Sequence, residues 1–152
     1  RAAVAAGATV CLGGGRLIEK RIGPQFYQPT VIRNVTPDMA IARDEVFGPV
    51  LVVLTFRTLD QAIALTNDAT YGLSAGIWCD DVHTCLEFSR RAQAGTVWTN
   101  TWMDGFPEVA FGGVKQSGQG REIGAYGFDE FLEVKSLVMR LGRTRAPWVK
   151  QA

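Results

Sequence analysis

The chain has 152 residues, 47% of them hydrophobic and 20% charged, with a formal net charge of +1. This describes one globular domain with a core of its own and excludes a protein held to nucleic acid by phosphate contacts, which needs a basic face. No apolar run approaches a membrane span in length, and the N-terminus lacks a signal-peptide layout.

The 3 cysteines, Cys11, Cys79 and Cys85, are odd in number and lack metal-ligand spacing. That fits reduced thiols and a cytoplasmic protein. The first residue is Arg1, not methionine, so a piece of a longer protein is expected.

Residues 1–6 are alanine-rich and predict a helix stopped by Gly7. Thr9-Val-Cys-Leu12 predicts a short strand, broken by Gly13-Gly-Gly15. Triple glycine can cradle a phosphate, but no Lys-Ser/Thr follows, so a plain turn is expected. Gly23-Pro24 predicts another turn. Phe26 to Val35 holds β-formers around Pro29, which suits an edge or extended segment. In Arg43-Asp-Glu-Val-Phe-Gly-Pro49, Glu45 beside Phe47 reads two ways. It is a solvated acid next to a core anchor, or a clamp whose carboxylate accepts from hydroxyls while the ring packs on a flat group.

Val50 to Phe56 is a continuous apolar run, as expected of a strand buried on both faces of a parallel sheet. Thr58-Leu-Asp-Gln61 has the capping-box pattern and opens a helix to about Asn67, with Leu59, Ala62, Ile63 and Thr66 as its apolar stripe. Gly72 to Cys79 predicts a second strand. Asp80 or Asp81 caps a second helix to about Gln93, with Val82, Cys85, Leu86, Ser89 and Ala92 on one side. Gly95 stops it, and Thr96 to Thr99 predicts a third strand. This β-α-β-α-β order predicts an α/β fold, with a mostly parallel sheet between flanking helices.

Asn100 to Glu122 is a long glycine-rich loop at the carboxyl end of the third strand, where open parallel sheets bind ligands. Trp102 and Phe111 with one amide, Asn100, suit a mostly apolar pocket. Gly118-Gln-Gly120-Arg-Glu-Ile-Gly124 lacks Gly-x-Gly-x-x-Gly spacing, so tight turns are expected there. Such turns expose carbonyls able to hold a hard cation. Glu122 reads either as a first-turn helix acid or as a carboxylate in a proton path. Glu122 to about Glu133 predicts a helix and Ser136 to Leu141 a strand without a partner in the chain. Gly142 to Ala152 predicts a loose basic tail. His83, the single histidine, falls on the polar side of its helix and reads as a surface residue. None of the cysteines looks activated; Cys79 alone falls near the presumed site mouth.

Many motifs, in order and nearly end to end, make the chain resemble the C-terminal part of the aldehyde dehydrogenase superfamily. They are Ala6-Gly-Ala8 with Gly13-Gly-Gly15, Gln28-Pro-Thr-Val31, Glu45-Val-Phe-Gly-Pro49, Asn67 with Tyr71-Gly-Leu73, and Ala94-Gly with Trp98-Thr-Asn100. They continue through Phe111-Gly-Gly-Val-Lys-Gln-Ser-Gly118, Gly120-Arg-Glu122 and Glu133-Val-Lys135. Asn100-Thr-Trp102 and Gly112 to Glu122 look most like the betaine-aldehyde or aminoaldehyde branch. Two features depart from that branch: Val114 replaces a frequent tyrosine, and Phe111 differs from the valine or tryptophan of some betaine-type enzymes.

The resemblance implies oxidation of an aldehyde to an acid with NAD or NADP. By it, Glu45 matches the acid on the nicotinamide ribose and Phe47 the ring beside the nicotinamide. Asn100, Trp102 and Phe111 fall in the aldehyde pocket. The Lys115 and Gly118 carbonyls match positions that help hold a potassium ion, and Glu122 matches a proton-relaying carboxylate. The resemblance also implies that the nucleophilic cysteine, the general base and the dinucleotide-binding domain belong to preceding polypeptide, so this chain alone is expected to be inactive. Residues 1–135 would be the C-terminal portion of the catalytic domain, 136–141 a strand joining a neighbouring subunit's sheet in a homo-oligomer, dimer or tetramer, and 142–152 a tail.

Overall fold

The computed structural model describes residues 1–17 and 25–142. The turn at Gly23-Pro24 and the tail from 143 onward lie outside the described residues. Helix α1 (Ala2–Ala5) closes as expected at Gly7: the Gly7 amide donates to the Val4 carbonyl and the Ala8 amide to the Ala3 carbonyl. Strand β1 (Thr9–Leu12) follows, then the glycine turn, where the Gly14 amide donates to Thr30 Oγ1 at 2.9 Å. Next come β2 (Thr30–Arg33), α2 (Ala40–Arg43) and β3 (Val50–Val52). These strands form one mixed sheet in the order β1-β2-β3, antiparallel then parallel.

One half of the capping box at Thr58 forms: its hydroxyl accepts from the Gln61 amide at 3.2 Å, starting α3 (Leu59–Asn67), while the Gln61 side chain accepts from the Arg57 amide, one residue before the cap, at 2.9 Å. Two short strands, β4 (Tyr71–Gly72) and β5 (Ser74–Ile77), precede α4 (Val82–Arg91). Of the two aspartates, Asp81 is the cap, accepting from the Thr84 amide at 2.8 Å. After α4, β6 (Thr96–Thr99) pairs parallel with β5, so β5-α4-β6 is a β-α-β unit. β7 (Val114–Lys115) returns antiparallel to β4, and α5 (Gly124–Asp129) follows. The fold is α/β, as expected, but in place of a single mostly parallel sheet the described residues form a mixed three-stranded sheet, an antiparallel pair and a parallel pair. Among the described residues the core has two parts: Ala3, Ala8, Ile32 and Val35 around β2, and Ile63, Ala75 and Phe88 between α3, α4 and the β5-β6 pair.

Several expectations are corrected. Thr30–Arg33 is the central strand of its sheet, not an edge, because Pro29 stands just before the first ladder residue, where its missing N–H costs nothing. The apolar run from Val50 is strand only to Val52 and pairs with β2, not with β5. It is not buried on both faces: Val50, Val52 and Leu54 meet the β2 core, while Leu51 is 60% and Phe56 59% exposed. On α4 the buried positions are Cys85 and Phe88, with Ala92 packed against the same core. Val82 and Leu86 are exposed because Leu86 lies about a third of a turn round from that face. The last helix is shorter than Glu122 to Glu133, since Ile123 and Gly124 have left-handed φ of +50° and +61° and Glu122 is held in a bridge to Phe111. Ser136 to Leu141 makes no strand pairing among the described residues, and Leu137, Val138 and Leu141 are exposed.

Candidate functional site

Parallel pairing brings the carboxyl ends of β5 and β6 side by side, and the glycine-rich loop leaves from that edge. Asn100 is its first residue, in the left-handed region at φ +57°, which asparagine tolerates better than most residues. Its side chain is a bracket. Oδ1 accepts from the Cys79 amide at 2.8 Å, and Nδ2 donates to the Cys79 carbonyl at 2.9 Å. The pocket amide expected at Asn100 is therefore spent on joining the two strand ends.

An aromatic cluster follows. The Trp102 ring lies 4.9 Å from that of Trp98, and the Phe111 ring lies 6.3 Å from it on the same indole. Trp98 is buried, whereas Trp102 is half exposed. Trp98 Nε1 donates to the Asp104 carbonyl at 2.9 Å, satisfying its one polar group. The loop then runs back over β6: the Gly95 backbone touches Gly112 so closely that a Cβ on Gly95 would lie 1.8 Å from the Gly112 carbonyl oxygen.

Glu122 is brought directly to this wall. Its amide donates to the Phe111 carbonyl at 2.7 Å and its carbonyl accepts from the Phe111 amide at 2.9 Å. Both residues line an open cleft of about 600 Å³ with Leu73, Arg121, Glu130 and Phe131. Arg121 is committed to structure, donating to the Gly113 and Gly120 carbonyls at 2.8 and 2.6 Å. Trp102 and Phe111 thus both pack on Trp98, and Phe111 and Glu122 share a cleft, while Asn100 is tied to Cys79 and lines no part of that cleft. Trp98, on which Trp102 and Phe111 pack, reads from the sequence as a strand and family-motif residue and not as a site residue. Its position facing β5 across the ladder depends on register, which local pattern does not specify.

Glu45 and Phe47 stand elsewhere. Both are exposed, Phe47 at 96%. Phe47 lines a larger cavity of about 900 Å³ with Ala3, Val10, Met39 and Ile41, and this cavity shares no lining residue with the Phe111 cleft. Phe47 presents an open ring at that cavity, whereas Glu45 is exposed and is not among its lining residues.

Lys115 and Gly118 form a turn in which the Gly118 amide donates weakly to the Lys115 carbonyl at 3.4 Å. The Lys115 ammonium reaches away, to the Asn67 and Ala69 carbonyls at 2.8 and 3.0 Å. The Lys115 and Gly118 carbonyls supply two oxygens where a hard cation takes about six to eight. Among the described residues no group of His, Cys, Asp and Glu could hold a metal ion.

His83 is exposed, as expected. Cys11 is exposed and Cys79 half-buried, while Cys85 is buried and donates to the Cys79 carbonyl at 3.5 Å. Burial, with Cys79 alongside, pushes the Cys85 thiol above its usual range.

Residues 1–137 match the aldehyde dehydrogenase family. Aldehyde dehydrogenase 1A1 of Gallus gallus is 44% identical over 135 residues, covering 89% of this chain and 26% of that protein. Aldehyde dehydrogenase, cytosolic 2, of Macroscelides proboscideus is 43% identical over 137 residues, covering 90% of this chain and 56% of that protein. Among solved structures, an NAD-dependent aldehyde dehydrogenase from Sinorhizobium meliloti superposes with a TM-score of 0.89 at 50% identity, covering 97% of this chain and 28% of that one. Betaine aldehyde dehydrogenase from Staphylococcus aureus, in complex with NAD+, superposes with a TM-score of 0.91 at 36% identity, covering 99% and 30%.

Proposed function

The chain belongs to the aldehyde dehydrogenase family, and from that premise we propose that it is the C-terminal portion of an NAD(P)-dependent enzyme oxidising a medium-sized aldehyde, betaine aldehyde or an aminoaldehyde among the candidates, to the acid. It spans 26% of the chicken relative and 56% of the elephant-shrew one. The activity accordingly belongs to a longer, cytoplasmic polypeptide that supplies the nucleophilic cysteine and the general base. The observation that carries this reading is the pairing of Phe111 with Glu122 beside Trp98 and Trp102. This backbone bridge supports a role for the Glu122 carboxylate beside the aldehyde wall.

The bound NAD or NADP supplies the hydride acceptor. Within this chain, Phe47 would pack on the nicotinamide and Glu45 would accept hydrogen bonds from the ribose. The wall of Trp102 and Phe111 excludes water from the aldehyde, and its ring faces suit a quaternary ammonium. Glu122 passes protons toward the base that activates the hydrolytic water. Potassium is assigned no step.

The test compares NADH formation from betaine aldehyde by the full-length protein and by these 152 residues alone. Turnover by the former and none by the latter is expected. Turnover by the chain alone that disappears in Cys79→Ala would overturn the assignment of the nucleophile to another segment.

A second reading is favoured by one observation, the exposed apolar side chains of Phe131, Val134, Leu137, Val138 and Leu141. In it the chain is a non-catalytic module that associates through residues 136–141. Light scattering with NAD titration separates the two, because micromolar NAD binding excludes a module without a cofactor role.

A further inference from the structure

We infer that Trp98 is a positioning residue that sets the aromatic wall and thereby the discrimination between bulky and small aldehydes; this rests on the reading of Trp102 and Phe111 as the aldehyde wall. Trp98 lies opposite Gly76 in the β5-β6 ladder. Gly76 has no side chain, and Trp102 leans into the vacated space: a Cβ on Gly76 would sit 3.1 Å from two carbons of the Trp102 ring. Trp102 is thus held between Trp98 and the Gly76 backbone, with Phe111 on the same indole.

The Trp98 N–H also anchors the turn that carries Trp102. It donates to the Asp104 carbonyl at 2.9 Å, and the Thr101 hydroxyl bonds the Asp104 carboxylate. That turn holds two non-glycine residues in the left-handed region, Asn100 at +57° and Met103 at +62°. Such backbone persists only where the surroundings over-determine it. The indole supplies both a ring to stack on and a donor to pin the turn, and no other aromatic side chain supplies both in that shape.

The test uses the full-length protein with benzaldehyde, acetaldehyde and NAD. Trp98→Phe keeps a ring and removes the donor. Its KM for benzaldehyde is expected to rise about fivefold relative to that for acetaldehyde, the size of one ordinary hydrogen bond, with KM for NAD unmoved. Gly76→Ala presses on Trp102, and at 3.2 Å on the exposed Trp78 ring as well; it is expected to shift the same ratio, which covers a Trp98 variant that fails to fold, with Trp78→Ala as the control for the second contact. Equal shifts for both aldehydes, or none, overturn the inference. Chymotrypsin cleavage after Trp102, which is followed by Met103 in the same turn, gives a readout independent of turnover. It should be faster in Trp98→Phe, and an unchanged rate overturns the inference even if wild type oxidises neither aldehyde, a result that would sink the dehydrogenase reading separately.

Discussion

Single side chains here are mostly committed to backbone. Asn100 spends its whole amide on Cys79, and Asn67 does the same for the end of α4, donating to the Arg91 carbonyl and accepting from the Gln93 amide. Because Asn100 sits at φ +57°, glycine there should be tolerated better than alanine. Asn100→Ala is expected to lower stability more than Asn100→Gly by about 1 kcal/mol, measured by urea unfolding. Asp81 gives a pH prediction. Hydrogen bonds from the Thr84 side chain and amide hold its carboxyl below the usual range. A depressed folded pKa means the cap's contribution is complete above about pH 4, the unfolded value, and is lost as pH falls through the lower folded one. The Tm gap between wild type and Asp81→Ala should therefore narrow on acidification below pH 4. Thiol labelling should follow exposure: Cys11 reacts first, and buried Cys85, its thiol pushed up, reacts last.

At the scale of elements, α3 and α4 are the chain's most legible structures, each started by a side-chain cap and packed on β5 and β6. Thr58→Ala removes the α3 cap and should cost about 1 kcal/mol. Phe88→Ala empties the second core and should cost about 3–5 kcal/mol. Both are read from thermal or denaturant unfolding, and Val82→Ala on the exposed side of α4 should do little. Gly95→Ala tests the crossing of the loop over β6. A methyl facing the Gly112 carbonyl at 1.8 Å must displace the loop, so the change should disturb the cleft as well as the fold.

For the whole molecule, the notable feature is how much apolar surface stays uncovered. Phe47, Phe131, Val134, Val138 and Leu141 are each almost fully exposed, and apolar area on that scale marks surfaces that bind something. In the proposed enzyme, bound cofactor covers Phe47, and a neighbouring subunit's sheet covers 136–141. Truncation of the full-length protein after Lys135 should then reduce the oligomer seen by light scattering. An unchanged mass would remove the association role from that segment.

Local signals were enough for the α/β class, both helix caps, the glycine turn after β1 and the motif order that marks the family. Each depends on residues close in sequence: a hydroxyl three positions before an amide, or an apolar period matching a helix. Strand partners needed the tertiary structure. Val50–Val52 joins β2 rather than β5, and a strand preceded by Pro29 turned out central, because pairing depends on which surfaces meet, not on any single run. The same holds at the site. Asn100, Trp102, Phe111 and Glu122 were legible as a loop with pocket-like chemistry, yet the bond from Asn100 to Cys79 and the place of Trp98 beneath the wall required the β5-β6 register. That register is set by burial across the sheet, a long-range energy that the order of residues along either strand does not display.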